Sequence, residues 1–546
     1  MPRRVPLPLV AAALLVGTSC APPPTVPPAA AAADPAAGWW AHVAFLANDD
    51  MRGRETGSPE HRKAANYVAD QFARAGIEPA GTNGFLQPVT FRSRRIDESR
   101  SSLALVRRGR AVPVELGADA TFSMRIDPSP AVQAPLVFAG HGLVVPEAQH
   151  DDFAGLDVAG KVVVYLSGSP RSVPGPLSAH YQSAAERWAV LKRLGAVGTI
   201  SIANPKSMDV PWDRSAPNRL NPAMALADPA LDETAGQQLS AAFNPASAER
   251  LFEGSGHTFA EMLEIADAGG ALPHFPLPLS VRAAVGVETQ IVESQNVAGV
   301  VRGSDPALAR EFVVLTAHLD HVGIGAAIDG DAIYNGAMDN ASGVATLLEA
   351  ARAVAEARPR RSVLFVAVTA EEKGLLGSRY FALHPTVPAD RLVANINMDM
   401  FLPLFPLKTL MVLGLDESDL GDDVRAVSQS MAVAVQADPE PQRNRFIRSD
   451  QYSFIRQGVP ALAMKVGYEP DSPEAAAAAE WTRRRYHAPS DDLDQPIDRS
   501  AAADFTRLIG ALSVRVANRD VKPAWREGSF FRRFSRPEAL DATGER

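Results

Sequence analysis

Apolar positions recur with two different periods along this chain. Within Trp39–Pro79 the spacing is helical: Ala64, Val68, Phe72 and Ala75 follow one another at intervals of four, four and three, lining one face of an α-helix, and Gly76 is placed to end it. Short strand-like runs come next, at Phe85–Phe91 and Ser102–Val106. A second unit begins near Ala134. There Leu136–Val145 and Lys161–Leu166 read as strands, Ala184–Leu194 as a helix stopped by Gly195, and Thr199–Ile202 as another strand. From Gln295 the pattern changes again. Phe312–Thr316, Ser362–Thr369, Leu392–Asn397, Thr409–Leu413 and Ala461–Val466 are apolar, β-branched runs of strand length, with helical segments such as Gly343–Ala357 and Leu375–Leu383 between them. Strands alternating with helices predict an α/β sheet with parallel strands. The tail from Arg519 onward is polar, basic in places, and expected to be loosely attached; no internal repeat is found.

Composition narrows the function classes. The 546 residues are 46% hydrophobic and 21% charged, ordinary globular usage and too apolar for a disordered chain. The net charge of −9 provides no basic footprint for a phosphate backbone, so nucleic acid is excluded as a partner. With a single cysteine, neither an internal disulfide nor a cysteine-based zinc site can form. Arg3 and Arg4 precede the apolar run Leu7–Val16, which is too short to span a bilayer and reads as a secretion signal. The cysteine, Cys20, follows Gly17-Thr18-Ser19, and this resembles the lipobox of bacterial lipoproteins, although Gly17 stands where that motif usually has Leu. The resemblance implies export and a lipid on Cys20 at the periplasmic face of a bacterial membrane, the only membrane contact expected; an ordinary cleaved signal would leave the protein periplasmic or secreted. Ala21–Ala37 has the Pro/Ala-rich composition of an extended tether.

Candidate chemistry gathers at strand ends in the last region. His318 and Asp320 follow one strand, Glu371 and Glu372 another, and Asp399 a third; Asp339 precedes a helix, and His487 lies in Tyr486-His487-Ala488-Pro489-Ser490-Asp491. In open α/β sheets, ligands bind at the carboxyl ends of strands, where such remote groups converge. Two histidines and several carboxylates suit a cation such as Zn²⁺. Unpaired carboxylates flanking apolar runs would cost several kcal/mol, an objection that a metal removes. His318 and Asp320, two apart on an extended segment, are expected to point to the same side, with the Asp320 carboxylate accepting the second ring N–H of His318. His384, before Pro385, is expected to cap a helix end.

The motifs Ala317–Gly323, Asp339–Gly343, Thr369–Ser378, Asn397–Asp399 and Tyr486–Asp491 closely resemble the dizinc aminopeptidase family, which also includes glutamate carboxypeptidase-like enzymes, glutaminyl cyclases and the transferrin receptor. Phe138–Pro205, in particular Phe138-Ala-Gly-His-Gly142 and Asp152–Asp157, resembles the protease-associated domain. Together they imply an α/β zinc exopeptidase fold, with a mixed, mostly parallel central sheet flanked by helices and an inserted β-rich protease-associated domain. The organisation expected is a signal at 1–19, a tether at 20–38, the first part of the peptidase domain at 39–133, the insert at 134–290, the catalytic domain at 291–517 and a tail at 518–546. Carried over residue by residue, the resemblance implies two Zn²⁺ per chain. Asp339 bridges them, His318 and Asp399 complete one metal, and Glu372 and His487 the other, so that His321 is not needed as a ligand. Glu371 is the general base acting on a metal-bridged hydroxide, and Tyr486 steadies the oxyanion. Gln451 stands where many members have His. The expected activity is removal of N-terminal residues from peptide substrates. The alternatives are a carboxypeptidase or dipeptidase, for which Arg443, Arg445 and Arg448 offer a carboxylate clamp, although a solvated basic loop is the reading preferred for them, and an inactive binding lipoprotein of the same fold. The insert is expected to shape the mouth of the site without supplying ligands, its His141, His150 and His180 being packing or surface residues.

Overall fold

The apolar runs of the second half form the centre of one large sheet. In this computed structural model, which describes residues 1–3, 5, 6, 34–443 and 445–535, Phe312–His318 lies between Ser362–Val368 and Leu392–Asn397, parallel to both. Ala461–Val466 continues the sheet in parallel beyond Leu392–Asn397. Thr409–Leu413 then joins antiparallel and carries Ala434–Ala437 at the edge. Every residue of the three central strands is buried. That is the condition of parallel strands covered on both faces, and it explains why they read as unbroken apolar runs rather than alternating ones. The helices Ala37–Leu46, Pro59–Arg74, Ser342–Ala357 and Arg499–Ala517 cover one face, and Leu376–Leu383 with Gln451–Ile455 the other. Among the described residues no helix is long and apolar enough to cross a membrane. Cys20 and the chain from Leu7 to Ala33 lie outside the described residues.

The helical stretch expected over Trp39–Pro79 is two helices with an irregular turn between them. Pro59–Arg74 starts where the Ser58 hydroxyl accepts the His61 N–H at 3.0 Å, buries Ala64, Val68 and Phe72, and gives way at Gly76, whose φ is +72°. Before it, Asp49–Arg54 winds through positive φ at Arg52, Gly53 and Arg54. A bulky cation in that conformation is not visible to a periodicity reading.

A second lobe grows from two long strands. Leu86–Arg107 and His274–Val301 pair antiparallel from Leu86↔Val297 to Val106↔Ser280, with an irregularity between Ala284 and Gly286. At their far end Ala131–Ala139 pairs with His274–Val301, followed in parallel order by Val162–Leu166, Gly198–Ile202 and Leu239–Phe243. The apolar run expected as one strand over Leu136–Val145 breaks at Gly140-His141-Gly142, where both glycines take positive φ. The core of this lobe draws on residues from Ile96 to Val285, so its first contributors precede Ala134. The ribbon runs unbroken through both lobes, and the chain has no compositional seam to mark the change.

The tail does not follow the expectation of loose attachment over its described part. Trp525 and Phe531 are buried against Ile447, Tyr452, Ile455 and Ala461. The Trp525 indole donates to the Gly458 carbonyl at 3.2 Å, and Arg519 pairs with Asp419 and Asp423. Its four aromatic residues, Trp525, Phe530, Phe531 and Phe534, supply the anchor that its charge conceals. Phe531→Ala should therefore cost about 3 kcal/mol of stability, whereas Arg532→Ala, at an exposed position on the same turn, should stay within about 0.5 kcal/mol. Denaturant unfolding of the two variants measures the difference; equal effects would mean that the segment is not held.

Candidate metal centre

The parallel register sets the site. His318 pairs with Val368, and Thr316 with Asn397, so the three central strands end nearly flush, and the residues just past them share one edge. Asp339 comes from the segment Ala337–Ala341, which leads into the helix Ser342–Ala357, and His487 from the turn after the helix Pro473–Arg485.

Asp339 is the hub. One carboxylate oxygen lies 3.2 Å from His318 Nε2, and the other 3.3 Å from His487 Nε2. His318 Nε2 is also 3.4 Å from Asp399, and His487 Nε2 is 3.1 Å from Glu372. The five residues expected as ligands are thus brought together, arranged as two groups that share Asp339. His321, set aside in the sequence, belongs here too. It is fully buried, with Nδ1 2.7 Å from Glu372 Oε1 and 3.9 Å from Asp339.

The donor set fits a pair of divalent cations. His318, Asp339 and Asp399 can present ligand atoms within 4.8 Å of one another, and so can His321, Asp339 and Glu372. Asp399 Oδ1 and Glu372 Oε1 are buried without an aligned hydrogen bond, although histidine nitrogens stand close by. Buried carboxylate oxygens left in that state demand a cation. The electrostatics agree. Burial opposes ionisation of Asp339, yet hydrogen bonds from His318 and His487 hold its carboxyl well below the usual range. Burial likewise opposes ionisation of Glu372, and His487 and His321 outweigh it. Glu371 goes the other way: burial first, then the charges of Glu372 and Asp399, push its carboxyl well above the usual value. Two adjacent glutamates therefore differ in proton affinity, the pattern expected when one is a ligand and the other a base.

Asp320 departs from its expected role. The ring Nδ1–H of His318 donates to the backbone carbonyl of Asp320, at 3.1 Å, and not to its carboxylate. The strand ends at His318, so the same-side rule for extended chain no longer holds two residues on. The buried carboxylate instead accepts the backbone N–H groups of Glu371 and Glu372, at 3.1 and 3.3 Å, and the Thr56 hydroxyl at 3.0 Å. It fixes where the two glutamates start.

Two supports were not foreseen. Asp491 accepts the N–H groups of Met338 and Asp339, at 2.9 and 3.0 Å. Arg54 is fully buried, and its guanidinium donates to the carbonyls of Leu46, Leu319, Asn335 and Gly336. Burial draws it down to about 10, while Asp491, Asp320, Asp339 and Glu372 oppose the shift. Gly336 is required by contact: at its φ of +62°, a Cβ would lie 2.2 Å from the Asp339 carbonyl oxygen and 2.5 Å from the His321 ring.

Tyr486 stacks against His487 with ring centroids 4.0 Å apart, and burial pushes its phenol up to about 12. It lines, together with Asp399, a cavity of about 670 Å³. Met208, Asp209 and Pro211 of the second lobe form part of the same wall, and Arg214 donates to the backbone carbonyl of Tyr486 at 2.7 Å. The lobe's histidines sit elsewhere. His141 bonds the Leu166 carbonyl, His150 pairs with Asp152, and His180 meets the Tyr452 hydroxyl at 2.6 Å. Gln451 does not line the cavity; it accepts from Asn397 and donates to the Phe446 carbonyl, both at 2.8 Å.

Residues 296–513 match peptidase family M28. Probable leucine aminopeptidase 2 of Aspergillus fumigatus is 28% identical over 230 residues, 39% of this chain and 43% of that protein. Aminopeptidase YwaD of Bacillus subtilis is 33% identical over 108 residues, 20% of this chain and 22% of its own length. The chain thus spans less than half the length of these curated relatives. An aminopeptidase from Aneurinibacillus sp. strain AM-1 shares the fold, with a TM-score of 0.53 and 20% identity over 90% of this chain and 95% of that one. The matched stretch, residues 296–513, holds all eight residues singled out from the sequence as catalytic or ligating, so it is over the site that the chain is similar to peptidase family M28.

Proposed function

We propose that this protein is a dizinc exopeptidase that removes N-terminal residues from peptides. The observation that carries the proposal is Asp339, whose two oxygens face two separate groups of nitrogen and oxygen donors. His318, Asp339 and Asp399 would hold one ion, and Asp339, Glu372 and His487 the other, with His321 backing Glu372. Zinc in such a pair lowers the pKa of a bound water and polarises a carbonyl.

The remaining chemistry belongs to the chain. Glu371, held high in proton affinity by burial, takes the proton of the attacking water and returns it to the leaving amine. The Asp320 carboxylate keeps Glu371 in position through its backbone N–H. Tyr486 stays protonated at neutral pH because burial outweighs His487 and Arg448, so its hydroxyl can donate to the developing oxyanion. The second lobe, which we read as the protease-associated insert, walls the cavity and contributes no ligand. Arg3, Arg4 and the apolar run before Cys20 further support export with a lipid on that cysteine; Cys20→Ser should then move the protein from the membrane to the soluble fraction.

Elemental analysis should give two zinc ions per chain, and a chelator should abolish hydrolysis of peptides with a free N-terminus; one tightly held ion with full activity would overturn the dizinc reading. Peptides blocked at the N-terminus should resist cleavage and those blocked at the C-terminus should not, the reverse result favouring a carboxypeptidase. Glu371→Gln should keep both ions and lose roughly 10²- to 10⁴-fold in turnover. Glu372→Gln should weaken one ion, with activity partly restored by added zinc. If Glu371→Gln is the variant that sheds metal, the two roles are exchanged.

A further inference from the structure

The cavity beside Asp399 and Tyr486 carries a cluster of cations, and among the described residues the structure separates the arginines, which pair with carboxylates, from Lys465, which does not. The three arginines that the sequence offers as a carboxylate clamp are matched. Arg443 pairs with Asp209 at 2.6 Å and Glu440 at 2.8 Å, Arg448 with Asp209 at 2.7 Å, and Arg445 with Asp438 and Glu440. Lys465 is different. It lies on the strand Ala461–Val466, half-buried, and lines the same cavity. Its ammonium donates to the Met400 carbonyl at 3.1 Å and, among the described residues, forms no ion pair with a carboxylate. An ammonium has three N–H donors, so two remain to be satisfied. The nearby walls include Leu402, Phe405 and Met411, which thin the water around the charge and strengthen any ion pair made there. Asp399 is the first carboxylate to act on it electrostatically, yet that side chain is committed to the metal centre. With Asp399 so engaged, the lysine is left as the unbalanced charge of the pocket.

We propose that Lys465 recognises a carboxylate of the peptide substrate, bound in this cavity next to Asp399. The inference rests on the exopeptidase reading and names its substrate class: peptides with an acidic group on one of the two residues flanking the scissile bond. That carboxylate has two sources, an acidic side chain at the N-terminal residue or the free C-terminus of a dipeptide. Lys465 would then be a specificity residue, with the arginine–carboxylate pairs holding the rim around it.

The test uses the zinc-loaded full-length protein and reads ratios of kcat/KM. Glutamyl and glutaminyl p-nitroanilides differ in charge at nearly constant shape and lack a terminal carboxylate, and Leu-Ala against Leu-Ala-amide isolates the C-terminus. Wild type should favour the charged member of one pair by roughly tenfold or more, and Lys465→Met should bring that ratio near one. Lys465→Glu should reverse it, favouring a lysyl over a glutamyl substrate. The pair that responds identifies which carboxylate is read. Ratios near one for both pairs in wild type, or a wild-type preference that survives in Lys465→Met, overturn the proposal while leaving the exopeptidase reading intact. A uniform loss on all substrates, with ratios unchanged, assigns Lys465 to supporting the Met400 turn and also overturns it. No hydrolysis of any substrate by wild type overturns both.

Discussion

Crowded negative charge is the constraint around which this protein is built. Asp339, Glu371, Glu372 and Asp399 converge on one edge of the sheet, where the surrounding chain is apolar and carboxylates would repel one another strongly. Without a metal, the balance falls to histidine. His318 and His487 are both driven well above their ordinary proton affinity despite burial, by Glu371, Glu372 and the hydrogen bonds to Asp339. The same protons that neutralise the cluster occupy the nitrogens that would bind zinc, so metal binding at this site must expel them. A cation is thus needed in either state.

The constraint extends outward through backbone groups rather than further side-chain charges. Arg54 approaches from beneath with a full positive charge but meets carbonyls, not carboxylates. It ties the Leu46 helix end, the Leu319 strand end and the Asn335–Gly336 turn into one frame, while its charge is felt by Asp491, Asp320, Asp339 and Glu372. Asp320 and Asp491 do the reverse, gathering backbone N–H groups and so fixing where Glu371, Glu372 and Asp339 begin. Asp339, Glu371 and Glu372 are thus positioned through their own peptide units, which leaves their side-chain oxygens to the centre.

How much of this was legible follows from the range of the forces involved. The central strands could be read because burial on both faces forces every residue to be apolar, and the ligands because carboxylates and histidines stand out at the ends of such runs. Arg54 could not, since its partners are main-chain atoms up to 282 residues away, which leave no trace in side-chain pattern. His321 was hidden by counting roles: once five ligands were assigned, the sixth donor had no vacancy, although the buried Glu372 oxygen beside it shows where it belongs. Asp320 was placed by an extended-chain rule two residues beyond the point where the strand stops. The start of the second lobe and the packing of Trp525 and Phe531 were missed because composition averages over a segment, whereas a few aromatic or β-branched positions decide whether it docks.

The cavity shows how chemistry and recognition are divided between the two lobes. The carboxylates and histidines of the cluster gather at one sheet edge, and nothing from residues 134–290 pairs with them among the described contacts. Asp209 of the second lobe, by contrast, holds Arg443 and Arg448 at once, and Arg214 binds the chain at Tyr486. The second lobe therefore acts on the pocket by neutralising some of its cations and bracing one wall. Asp209 pairs with two of the three arginines and not with Lys465, so a lobe that adds nothing to the carboxylate cluster still sets which cations of the cavity are paired. A change at Asp209 would therefore alter the charge of the cavity wall and leave untouched the carboxylate cluster, whose geometry is set by the strand ends, the segments that carry Asp339 and His487, and the backbone groups around them.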